Sequence, residues 1–87
     1  MNSPYNIEYD INKLKEKALR MLLEEHLMKV GESDSFHFSR SEYKIERLAD
    51  GFFGISVWLG DKYGVVKEYS TLGKLFTHFF RCNNISY

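Results

Sequence analysis

The feature that most constrains this chain is the span 42–70, where runs of strand-forming residues are cut at short intervals by glycine. EYKIERL is followed by ADG, FFGISVWL by GDKYG, and VVKEYS closes the series. Short runs rich in Val, Ile, Tyr, Phe and Trp and bounded by Gly and Asp read as strands, and connections this brief join antiparallel neighbours. A three-stranded meander is therefore expected. Side chains alternate along a strand, so Phe53, Ile55, Val57 and Leu59 share one face of the middle strand and Phe52, Gly54, Ser56 and Trp58 the other. The first face is assigned to the core, joined by Tyr43 and Ile45 of the first strand. The register of the third strand stays open, because Val65 and Val66 are adjacent.

A sheet this small must bury one face under helices. INKLKEKALRMLLEEHLMKV runs from Asp10, a plausible N-cap, to Gly31 without proline or glycine and through strong helix formers. Glu16 with Arg20 and Glu25 with Lys29 add favourable pairs four residues apart. The second helix is TLGKLFTHFFRC, where Leu72, Leu75, Phe76, Phe79 and Phe80 recur at the amphipathic spacing and Ser70 or Thr71 can cap. Between the first helix and the meander, GESDS is a polar connection, and Phe36 and Phe38 alternate with His37 and Ser39 in a short extended piece. The expected fold is α+β: a long N-terminal helix, a three-stranded antiparallel meander and a short C-terminal amphipathic helix, in the order α-β-β-β-α. Residues 1–9, polar with one proline, read as a flexible arm, and 10–87 as the single domain.

Eighty-seven residues hold one domain with little stability to spare. Twelve basic residues balance twelve acidic ones, which weakens a general nucleic-acid binder driven by phosphate neutralisation. The lone Cys82 cannot form an internal disulfide, and MNSPYNIEYD lacks the basic start and apolar run of a signal peptide. No apolar stretch approaches the roughly 18 residues that span a bilayer. A cytoplasmic protein without a membrane segment is expected.

Two surfaces stand out as docking candidates. Phe52 and Trp58 put aromatics on the face of the middle strand that ordinarily meets water, beside the small residues Gly54 and Ser56, which together suggest a shallow recess between rigid anchors. The simpler reading is that the first helix or the arm covers them. On the first helix, Ile11, Leu14, Ala18, Met21, Leu22 and Met28 share one side, but Leu19, Leu23, Leu27 and Val30 carry the apolar surface well round the cylinder. Either the C-terminal helix and the arm cover this surplus, or it forms a homodimer seam or a partner's docking site.

The remaining constellations carry less. Lys74, His78 and Arg81 form a basic ridge on the C-terminal helix that could meet phosphates, although a solvated face with a cation near the helix C-terminus is the simpler reading, because three basic residues release few counterions. His78 and Cys82, four apart, could both reach one metal ion, but no CxxC or HExxH accompanies them, and no metal or cofactor is expected. Catalysis lacks a nucleophile elbow and an orienting third residue, and neither GFFG nor GDKYG is a phosphate loop. The expected function is a non-catalytic protein-binding module, regulatory or inhibitory, of the kind phages and mobile elements encode. Its expected contacts are Phe52, Trp58, Leu19, Leu23 and Leu27. The alternative is a nucleic-acid-binding regulator using Lys74, His78 and Arg81.

Overall fold

A computed structural model describes residues 7–85. The elements are α1 (Ile7–Leu23), a 3-10 turn (Glu25–Leu27), β1 (Ser33–Phe38), β2 (Ser41–Arg47), β3 (Phe53–Trp58), β4 (Tyr63–Tyr69) and α2 (Leu72–Cys82). The α+β class, the long first helix and the short last one are as expected. The antiparallel sheet has four strands, in the order β1-β2-β3-β4.

The added strand is the extended piece around Phe36 and Phe38, which pairs with β2 so that Phe36 lies opposite Tyr43 and Phe38 opposite Ser41. Its turn is Ser39-Arg40, with φ of 52° and 67°. Two consecutive left-handed residues make the mirror-image hairpin turn whose twist matches the strands, usually written with Asn and Gly. Here an outside contact supports it: the Ser39 N–H donates to Asp10 Oδ2 at 3.3 Å. Asp10 therefore lies inside α1 and braces a hairpin, rather than capping the helix start. Of the expected arm, residues 7–9 belong to α1, and residues 1–6 lie outside the described ones.

The first helix stops at Leu23 instead of running to Val30. Arg47 of β2, far away in the chain, donates from Nη1 to the carbonyls of Glu25 (3.3 Å) and Met28 (3.1 Å), holding the chain just past the end of the helix. Its own backbone pairs with Gly31 and Glu32, drawing the chain out of the helix and into the sheet. Gly31 is left-handed, with φ of 89°, but it serves this entry and caps no helix.

Both helices pack on one face of the sheet. α1 supplies Leu14, Ala18 and Met21, β1 supplies Phe36 and Phe38, β2 Ile45, and β3 Phe53 and Ile55; α2 supplies Leu72, Leu75, Phe76, Phe79 and Phe80, and all are buried. Burying each large side chain stabilises the fold by about 1.5–3 kcal/mol. Phe79 stands edge-on to Phe36, Phe38 and Tyr43 at 5.5, 5.9 and 5.0 Å between ring centroids, an arrangement that favours aromatic quadrupoles. α2 starts cleanly because the Thr71 side chain accepts from the Lys74 N–H.

The middle strand departs from the expected core face in one place. Phe53 and Ile55 are buried and Val57 half-buried, but Leu59 is exposed. It falls beyond β3 in the following turn, where its side chain folds over Gly64, close enough that a Cβ there would lie 2.8 Å from Leu59 Cδ1. The open register of the last strand resolves as a bulge. Ile55 faces Lys67 and Ser56 faces Val65, so Val66 is left without a partner on β3 and stands exposed.

Candidate functional site

The surplus apolar surface of α1 stays uncovered. Successive residues turn by about 100°, so Leu14, Ala18 and Met21 point to the sheet while Leu19 and Leu23 point away and Leu22 lies between. Leu19, Leu23 and Leu27 are 60, 67 and 62 % exposed. The physical reason is placement: α1 packs chiefly on the edge strand β1 and against α2, so among the described residues no element packs on its outer side. Leu19 and Leu23 lie one turn apart on α1, whereas Leu27, in the 3-10 turn after the helix, borders a hollow with Met21 and Leu72; Leu22 and Val30 are also exposed.

Phe52 and Trp58 are not brought together. Both stand on the sheet face without helices, 41 and 44 % exposed, but six positions along an extended chain place them about 20 Å apart. The recess expected between them is filled. Leu48 folds over Gly54, where a Cβ would lie 3.3 Å from Leu48 Cδ1, and Ser56 is buried.

Trp58 instead belongs to a cluster that crosses all four strands. The hairpin between β3 and β4 sets Trp58 opposite Tyr63, with ring centroids 5.0 Å apart. The Lys44 ammonium lies 4.5 Å from the centre of the Tyr63 ring, a cation–π contact. Tyr63 donates its hydroxyl hydrogen bond to Glu42, whose other carboxylate oxygen lies 3.2 Å from His37 Nε2. The Tyr63 phenol is held above its ordinary pKa first by that hydrogen bond, then by desolvation and by the Glu42 charge. Tyr63, Lys44 and Glu42 were not singled out from the sequence. The signal was the shortness of the loop after Trp58, which forces Trp58 and the tyrosine of GDKYG across from each other.

The ridge of Lys74, His78 and Arg81 is broken. Lys74 and Arg81 are exposed, but the half-buried His78 turns toward the sheet, where its Nδ1 meets the Tyr69 hydroxyl and its Nε2 lies 3.4 Å from Cys82 Sγ. The Tyr69 phenol is pushed above its ordinary value, mainly by burial and then by Cys82. Among the described residues no group of three or more His, Cys, Asp and Glu is placed to hold a metal ion, and His26 and His37 lie away from this pair. Among the same residues no helix is long and apolar enough to cross a membrane. Comparison with protein-family models, with curated proteins and with solved structures finds no match.

Proposed function

We propose that this chain is a small protein-binding module that docks another protein through the outer side of α1, with Leu19, Leu23 and Leu27 as its apolar anchors. The observation behind this reading is that Leu19 and Leu23 on α1 and Leu27 in the 3-10 turn that follows stay more than half exposed, while Leu14, Ala18 and Met21 on the opposite side of α1 are buried. Clustered apolar exposure on a small domain is the usual mark of an interaction surface. Covering each leucine contributes about 1–2 kcal/mol, less than a full burial because part of each is already shielded. The chemistry of the fitting partner is an apolar groove. A regulatory or inhibitory role follows from occupying such a groove, with no reaction needed.

The Trp58 face is a weaker anchor because Trp58 already packs on Tyr63 and is ringed by Lys44, Glu42 and His37. The inward turn of His78 leaves Lys74 and Arg81 too sparse for strong counterion release, which weighs against the nucleic-acid reading.

The test compares wild type, Leu19→Glu/Leu23→Glu and Trp58→Ser as baits, with the thermal melt of each recorded. A defined partner retained by wild type and Trp58→Ser and lost by the double glutamate variant at an unchanged melt supports the reading. Retention by the glutamate variant would sink it. Light scattering on the same proteins tells a second copy from a foreign partner, since a self-made dimer falls to monomer mass in the glutamate variant.

A further inference from the structure

A different part of the molecule holds a cavity that the docking reading does not use. It lies between α2 and the β3–β4 hairpin, about 280 Å³ in volume, with Ile55, Leu75 and Phe79 as its buried floor and Tyr43 and Val57 as half-buried walls. Directly paired residues point to the same side of a sheet, so Lys67, opposite Ile55, faces the helix side, and its stem and the exposed Val66 of the bulge complete the lining.

Polar side chains also line the cavity. Lys67, Tyr69, His78 and Cys82 gather there, with the Lys67 ammonium 5.6 Å from the centre of the Tyr69 ring. Among the described residues no Asp or Glu lines the cavity, and α2 itself carries Lys74 and Arg81 but no acidic residue. An apolar chamber with a cation at its rim and no competing carboxylate matches an amphiphile with an apolar tail and an anionic head. At roughly 30 Å³ for each water-sized group, the volume admits about eight to ten carbon atoms.

We propose that this cavity binds a straight-chain carboxylic acid of about that length, tail on Ile55, Leu75 and Phe79 and carboxylate on Lys67. The proposal stands apart from docking through α1, because the two surfaces share no residue. The experiment is a titration of the full chain with decanoate, below its micelle threshold, followed by backbone amide NMR, with decanol as the uncharged control. Decanoate should give saturable one-to-one shifts centred on Ile55, Val57, Leu75 and Phe79, and should bind about fivefold tighter than decanol, the upper range for one partly exposed charge pair.

Lys67→Met should remove that preference at an unchanged melt, and Val57→Phe, which fills the chamber, should abolish the shifts. Leu23→Glu should leave them intact. Equal affinity for decanol, an undiminished preference in Lys67→Met, shifts that gather on Leu19 and Leu23, or the absence of saturation would each overturn the proposal. Lys67 is exposed, so its variant keeps the test decisive even where Val57→Phe does not fold.

Discussion

The two helices of this molecule are built from similar apolar-rich sequence and end up in opposite circumstances. In α2, Leu72, Leu75, Phe76, Phe79 and Phe80 are all buried, and Phe79 reaches across the sheet to rings on β1 and β2. In α1, Leu14, Ala18 and Met21 are buried while Leu19 and Leu23 are largely bare. A stripe of apolar residues is buried only as far as the opposing surface extends. The five-residue stripe of α2 matches what the sheet offers, whereas α1, seated over the edge strand, has more apolar surface than one neighbour can cover.

That contrast can be broken by mutation. The largest expected effect is Phe76→Ala, which empties a fully buried position in α2 and should cost about 3–5 kcal/mol. A domain of this size holds roughly 4–13 kcal/mol in all, so the denaturant midpoint should fall far or the fold be lost. A Phe76→Ala protein that melts like wild type would mean that α2 is not the packed helix described here.

The next effect separates the two sides of α1. Leu14→Ala, at a position 1 % exposed, should cost about 2–5 kcal/mol, and Leu23→Ala, 67 % exposed, should stay within about 0.5 kcal/mol. Equal losses at the two leucines would show that the outer side is covered in solution.

The smallest effect is a dependence on alkaline pH. Tyr63 and Tyr69 both have phenols raised in the folded state, so the folded chain holds these protons more tightly than the unfolded one. Their contribution to stability is complete below the ordinary tyrosine pKa of about 10 and is lost as pH rises through the higher folded values. Phenolate absorbance should show late-titrating tyrosines that disappear in Tyr63→Phe and Tyr69→Phe, and each variant should flatten the alkaline fall in stability. Titration of all tyrosines at the ordinary pKa would remove the hydrogen bond and the burial invoked for them.

What could be read from the sequence was what depends on near neighbours. The stripe of α2, its Thr71 cap and the alternating faces of β3 are set by spacing within a few residues, and the excess of leucine on α1 is visible as a stripe too wide for one face. What could not be read depends on residues brought in from afar. The segment just past the end of α1 is held by Arg47, about twenty positions away, a contact that no residue from Glu24 to Val30 announces. The hairpin from β1 to β2 was hidden because Ser39 and Arg40 take a conformation normally given to Asn and Gly, braced by Asp10. The company of Trp58 follows from the pairing of β4, and the adjacent valines left its register open until the bulge fixed it.

The order of the sheet has a consequence for how the chain reaches this structure. Every strand pairs only with strands adjacent to it in sequence, so each ladder closes a short loop and can form as a hairpin before the rest is in place. Such topologies fold fast, because little chain entropy is lost before each contact begins to stabilise. The contacts that join distant parts close larger loops: Arg47 of β2 reaches the carbonyls of Glu25 and Met28 after α1, tying the segment behind the exposed leucines to the sheet.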